Sequence, residues 1–214
     1  NILRQYNSQE QINSLRIQTL KDIKHNEILF VFKNPNNAYT YTLAFNENVG
    51  KFTSFYSFIP TDGFSIGDKF YTIKDSGIHE HFASNDRNKF YGTTYPMKLG
   101  FVINQPTDIQ KVFDWINVVS NNVFATKVTF TTDSGSTVLP YANGIPQNVI
   151  NPFVNAMKYR EDVVRFSVPK FNKENNQVPT HRQRDKWIEI VLEYNTNNFI
   201  KISHINTFYR YSYS

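Results

Sequence analysis

The stretch Ile28-Leu29-Phe30-Val31-Phe32, then Lys33-Asn34-Pro35-Asn36-Asn37, then Tyr39-Thr40-Tyr41-Thr42-Leu43-Ala44-Phe45, decides the fold class. β-branched and aromatic side chains suit a pleated, half-buried surface, and an Asn- and Pro-rich break between two such runs reads as a turn joining antiparallel strands. Working outward, Asn46-Glu47-Asn48-Val49-Gly50 closes the second run, and Phe52-Thr53-Ser54-Phe55-Tyr56-Ser57-Phe58-Ile59 follows until Pro60-Thr61-Asp62-Gly63 ends it. Lys69 to Ile73 and Ile78 to Phe82, separated by Lys74-Asp75-Ser76-Gly77, form a further hairpin pattern. The result is a series of short strands between residues 28 and 82, the pattern of a propeller-like blade or a meander.

The pattern continues less evenly. Asn85 to Gly92 reads as a polar loop and Phe101-Val102-Ile103 as a short strand. Beyond Thr107-Asp108, Ile109, Val112, Phe113 and Ile116 fit a capped helix, while Lys111 to Phe113 and Ile116 to Val119 fit two strands; periodicity leaves both open. Val123 to Thr132 alternates and stops at Asp133-Ser134-Gly135-Ser136. Residues 139 to 157, with Pro140, Gly144, Pro146 and Pro152, read as a long loop. Asp162 to Val168, Trp187 to Tyr194 and Phe199 through Tyr209 read as strands, with the charged loop Lys170 to Lys186 between the first two. The expected class is mainly β: an antiparallel propeller-blade-like or meander sheet, then a second antiparallel β-sandwich-like unit. The expected division is an N-terminal arm over 1–27, whose spacing fits a loosely attached strand pair equally well, a blade-like unit over 28–100, and a C-terminal unit with long loops over 101–214.

The chain of 214 residues is long enough to bury a sizeable core. It has no cysteine, which excludes disulfides, thiolate metal sites and thiol catalysis. Aromatic residues make up 16% and charged residues only 19%, so Asn, Ser, Thr and Tyr must cover much of the surface. The net charge of +5 arises from 23 basic and 18 acidic residues mixed along the sequence, which reads as a mildly basic solvated surface. No apolar run approaches the ~18 residues of a membrane-spanning helix. The sequence opens on Asn1-Ile2-Leu3-Arg4 without Met or a signal-like segment, as expected of a cleaved product or of a chain that continues upstream.

No constellation of catalytic, metal-binding or cofactor-binding residues emerges. His79 and His81 flank Glu80 on an expected strand and share a face, but nothing brings a third ligand from His25, His181 or His204. Asp62, Asp68 and Asp75 sit where turns use Asp to accept backbone hydrogen bonds. Any carboxylate pair among Glu47, Asp62, Asp68, Asp75 and Glu80 could be invented for glycoside hydrolysis, so none points to it. Ser134-Gly135-Ser136 lacks the nucleophile-elbow frame, and the eight glycines form no phosphate loop. The basic cluster Lys170, Lys173, His181, Arg182, Arg184 and Lys186 suits subunit salt bridges or sequence-independent contact with a phosphate backbone. The aromatic series Phe52, Phe55, Tyr56, Phe58, Phe70, Tyr71, Phe90 and Tyr91 suits a stacking platform or, better, a core on one face with tyrosines on the other making subunit contacts.

Several ordered motifs carry a resemblance. Tyr41-Thr42-Leu43-Ala44-Phe45-Asn46-Glu47 and Phe52 to Pro60 are followed by Gly67-Asp68-Lys69-Phe70-Tyr71, Gly77-Ile78-His79-Glu80-His81-Phe82 and Asn88-Lys89-Phe90-Tyr91-Gly92. Phe101-Val102-Ile103-Asn104, Lys111-Val112-Phe113-Asp114, Arg182 to Trp187 and Thr207-Phe208-Tyr209-Arg210 continue the series. In order and spacing they resemble the C-terminal part of the tail muzzle proteins of crAss-like bacteriophages and related virion structural proteins. The resemblance implies a non-enzymatic tail component, without cofactors or metal, present as repeated copies in a ring that lines or closes the genome-exit channel. It implies as partners other copies of the chain, other tail or portal-proximal proteins, and packaged DNA in transient, non-specific contact. Tyr56, Tyr71, Tyr91, Arg182, Arg184, Lys186 and Trp187 are the expected subunit contacts. A host-glycan binding module on the same particle is the alternative.

Overall fold

The structure, a computed structural model, describes residues 15–33, 40–121, 123–142, 145–146, 157–169 and 183–212. The chain divides into two compact units, Asn1–Tyr95 and Pro96–Ser214. The regular structure among the described residues is all β, in several antiparallel sheets.

In the first unit β1 (Arg16–Asp22), β2 (Glu27–Lys33), β3 (Tyr41–Asn46) and β4 (Lys51–Tyr56) form one sheet in sequential order. The turn between β3 and β4 is set by Asn46, whose side-chain Oδ1 accepts from Asn48 N and Val49 N, both at 3.1 Å, and by Gly50 at φ +67°. Period-2 alternation sends Leu20, Leu29, Val31 and Ala44 to an inner face, where they bury with Phe58 and Phe70. A three-stranded sheet, β5 (Asp62–Ile66), β6 (Lys69–Lys74) and β7 (Gly77–Glu80), supplies Phe70, and the short pair β8 (Lys89–Phe90) and β9 (Thr93–Thr94) follows. Gly63 permits the close approach of β5: a Cβ there would lie 2.9 Å from both Leu20 Cδ1 and Tyr71 O. The buried Thr42 hydroxyl is satisfied by donating to Phe58 O at 2.6 Å.

The second unit packs two sheets on one core. The first runs β10 (Met97–Ile103), β18 (Ile188–Tyr194), β12 (Lys127–Thr132), β13 (Gly135–Ala142) and β14 (Ile145–Pro146). The second is organised on β11 (Lys111–Ser120), which pairs with β16 (Val163–Ser167), β17 (Arg184–Asp185) and β19 (Ile202–Tyr211), while β15 (Lys158–Arg160) extends it beyond β16. Val128, Phe130, Ile190 and Leu192 from one sheet bury against Phe113, Ile116, Val164 and Phe166 from the other. At roughly 1.5–3 kcal/mol for each fully buried side chain, this cluster dominates the unit's stability. Lys111 is fully buried at the inner edge, its ammonium donating to the carbonyls of Pro106, at 2.6 Å, Ile109, at 3.1 Å, and Lys186.

Several local expectations change. The helix reading beyond Thr107-Asp108 gives way to the strand β11. The register between β11 and β19 shifts at Asp114, and this extra residue places Phe113 and Ile116, three apart, on one buried face. A bulge thus imitated helical spacing. The loop expected over 139–157 begins inside β13, where Leu139 and Tyr141 are core residues and Pro140 still pairs with Lys127. Residues 16–22, within the stretch expected as an arm or a loosely attached strand pair, form β1 and pair over their length with β2. Asp62 and Gly63 begin β5 and do not simply end the preceding run. Of the charged loop 170–186, only residues 183–186 lie among the described residues.

Candidate functional site

The outer face of the β1–β4 sheet carries three cross-strand rows. Register places Ile17, Phe32 and Tyr41 in one, Thr19, Phe30, Leu43 and Phe55 in the next, and Lys21, Ile28, Phe45 and Phe52 in the third. Rings link the strands: Phe32 stacks on Tyr41 at 4.8 Å, Tyr41 meets Phe55 edge-on at 5.6 Å, and Phe45 meets Phe52 at 5.3 Å. Ile17, Phe52 and Phe55 are 54%, 60% and 71% exposed, so the face is open to solvent at these residues, while Phe32 and Leu43 within the rows are buried. Exposed aromatic side chains clustered on one sheet face are a candidate interaction surface.

The face exists because β4 is bulged. Ala44 pairs with Ser54 but Phe45 pairs with Phe52, so Thr53 is the extra residue. In a regular strand Phe52 and Tyr56 would share a face. With Thr53 inserted, Phe52 and Phe55 point outward together and Tyr56 turns inward, against Phe58 at 5.2 Å. On β4 it is thus Phe52 and Phe55, and not Tyr56, that share the outer face with Tyr41.

A second feature lies beyond β7, where a cavity of about 360 Å3 opens beneath the segment Phe82 to Gly92. His81 and Phe90 are part of its lining, and behind it the His81 ring packs on Phe58 at 4.6 Å and Phe70 at 5.2 Å, with Phe90 at 5.9 Å between ring centres. His81 Nε2 lies 2.7 Å from Thr72 Oγ1, which lies 2.9 Å from Tyr91 Oη, a continuous polar chain through the core. Burial pushes the His81 imidazole down to about 4, against the attraction of the Asp22 carboxylate and with a smaller push from His79. The ring is therefore neutral at neutral pH. Phe82, Asn88 and Tyr91 hold left-handed backbone at φ 60°, 56° and 52°, each on the order of 1–3 kcal/mol of strain for a non-glycine residue.

The expected contact residues are dispersed. Tyr56 donates to Glu27 Oε2 at 2.9 Å, and burial first, then Glu27, raises its pKa. Tyr71 stacks on Phe64 at 5.6 Å and donates to Glu80 Oε2 at 3.2 Å. Tyr91 packs on the first core and meets Thr72. Trp187 donates its indole N–H to Asp133 Oδ1 at 3.2 Å. Arg184 and Lys186 are exposed. Arg182 lies outside the described residues, as do Lys170, Lys173 and His181.

The carboxylates considered for catalysis or metal binding have local work. Asp62 Oδ1 accepts from Gln18 Nε2 at 2.6 Å and Gly63 N at 2.8 Å, Asp75 faces Lys74 at 3.6 Å, and Glu47 pairs with Lys21 at 2.9 Å. His79 and His81 both border Tyr91, at 4.7 and 6.1 Å, while His25 stacks on Phe82 and bonds Asp22 Oδ2 at 2.7 Å. Among the described residues no group of three or more His, Cys, Asp or Glu is placed to hold a metal ion.

Two family models match the chain in succession. Residues 2–76 match the family model described as the Crassvirus muzzle protein, and residues 85–170 match that of the Crassvirus muzzle protein C-terminal domain. Over 190 residues the chain is 27% identical to the muzzle protein of Bacteroides phage crAss001, covering 83% of this chain and 12% of that relative. The chain thus spans a small share of the relative's length. Two models, met in order, take in most of the sequence, which over both stretches is similar to the Crassvirus muzzle proteins.

Proposed function

We propose that this chain is a non-enzymatic structural module of a phage virion, one of several copies in a tail ring that lines or closes the genome-exit channel. Similarity to the muzzle protein models supports the virion setting. The observation that carries a packing role is the exposure of Phe52 and Phe55 on a continuous aromatic sheet face. A neighbouring polypeptide that covers this face removes apolar area from water, worth about 25 cal/mol per Å2, and a closed ring repeats the gain at every contact. In this reading the four-stranded sheet is a blade-like layer and the second unit a sandwich-like block. Other copies of the chain and other tail or portal-proximal proteins are the partners.

Arg184 and Lys186, exposed beside β17, serve in this proposal as polar contacts to adjacent carboxylates, together with Arg182. The same cations supply transient, sequence-independent contact with packaged DNA. Tyr56, Tyr71, Tyr91 and Trp187 support the contacting surfaces from within through their own hydrogen bonds.

The test is incorporation into particles. Phe52→Asp/Phe55→Asp places two charges on the aromatic face at exposed positions. Virions assembled with that variant should lack the protein, whereas Arg184→Ala should still be incorporated. Normal incorporation of the doubly charged variant would sink the proposal.

A further inference from the structure

The cavity beneath Phe82 to Gly92 has a composition that the packing role does not use. Part of the lining is aromatic: Tyr91 and His79 meet edge-on at 4.7 Å, and Phe90 lies against Tyr56 at 6.3 Å. The lining also includes the exposed polar residues Ser84, Asp86, Arg87 and Lys89 and the half-buried Asn88. Its charges balance. Asp86 is paired with Lys89 at 3.2 Å, and Glu80, which shares the lining with Arg87, is paired with Lys69 at 3.1 Å. Two anions against two cations select neither a phosphate nor an amine, but they offer donors and acceptors together. An uncharged ligand with many hydroxyls and an apolar ring face satisfies such a site.

The segment is also held in shape before any ligand arrives. His81 N donates to Phe70 O at 2.8 Å, Tyr95 N to Asn88 O at 2.7 Å, and Asp86 N to Ser84 Oγ at 3.2 Å. Phe82, Asn88 and Tyr91, three non-glycine residues in left-handed backbone, line the cavity together with Gly92 at φ +79°. Strain at bulky residues persists only where the surroundings over-determine it, and it gathers at ligand clamps. A cavity of about 360 Å3 falls within the range of small-molecule sites.

We infer that this cavity is a saccharide subsite that takes one neutral sugar unit, stacked on the aromatic part of the lining and hydrogen-bonded by Asp86, Arg87 and Asn88. This does not rest on the ring proposal, because the cavity belongs wholly to the first unit and the aromatic sheet face takes no part in it.

The test uses the isotope-labelled chain, titrated separately with glucose, galactose, mannose and N-acetylglucosamine, and with inorganic phosphate as the anionic control. At least one sugar should give saturable amide shifts confined to residues 79–92, with a Kd on the order of 1 mM, as suits a single shallow sugar contact. Asp86→Ala and Arg87→Ala, both at exposed positions, should each weaken that response about tenfold while leaving the rest of the spectrum unchanged. Absence of saturable shifts with all four sugars, an undiminished response in both variants, or a response to phosphate alone would overturn the assignment.

Discussion

Phe45 faces Phe52 across the β3–β4 pair at 5.3 Å, while its chain neighbour Ala44 pairs with Ser54, so that Thr53 has no partner of its own. This one bulge sorts the aromatic residues of β4. Phe52 and Phe55 go to solvent, and Tyr56 goes inward to Phe58 and Glu27.

Deleting Thr53 should restore a regular strand in which Phe52, now next to Ser54, still pairs with Phe45 on the outer face. The core is left as it is, so the stability of the first unit in urea unfolding should change by less than about 1 kcal/mol. A loss of about 3 kcal/mol or more would mean that Thr53 does more than sort the faces of β4.

His81 makes the first unit sensitive to acid. Its folded pKa of about 4 lies below the unfolded value of 6.5, so the unfolded chain binds the proton first as pH falls. The stability is full above about pH 6.5 and is lost progressively down to pH 4. The shift corresponds to at most about 3 kcal/mol. Asp22, the Asp22–His25 pair and His79 are the other titratable groups nearby. Denaturation between pH 7 and 4 should show the slope, and His81→Phe should flatten it. An equal slope in that variant would assign the effect elsewhere.

Lys111 should be costly to replace. Its buried ammonium satisfies three backbone carbonyls, and Lys111→Met leaves those acceptors without their donor. A loss of about 2–4 kcal/mol is expected in thermal unfolding of the second unit. By contrast, the Arg210 guanidinium is held by Asp114 at 2.8 and 2.9 Å but is 61% exposed, so Arg210→Ala should cost far less than Lys111→Met.

Legibility in the sequence followed regularity. The runs 28–32 and 39–45 alternate or fill both faces without interruption, and both became strands of one sheet. Where the structure breaks period 2, the sequence misled. The extra residue at Asp114 made Phe113 and Ile116 look helical, and the one at Thr53 hid which of Phe52, Phe55 and Tyr56 lay outside. Pro140 suggested a loop although it occupies a strand register opposite Lys127. The cavity was not legible at all, since it depends on left-handed backbone at Phe82 and Tyr91, and neither residue type signals that conformation.

The central claim is that the aromatic face of the first unit is an assembly surface. A reconstruction of the intact particle, resolved to side chains, tests it most directly. The rings of Phe52 and Phe55 should lie within van der Waals contact of a neighbouring polypeptide, about 4 Å between carbon atoms, in every copy of the ring. Both rings facing solvent in the assembled tail would contradict the account.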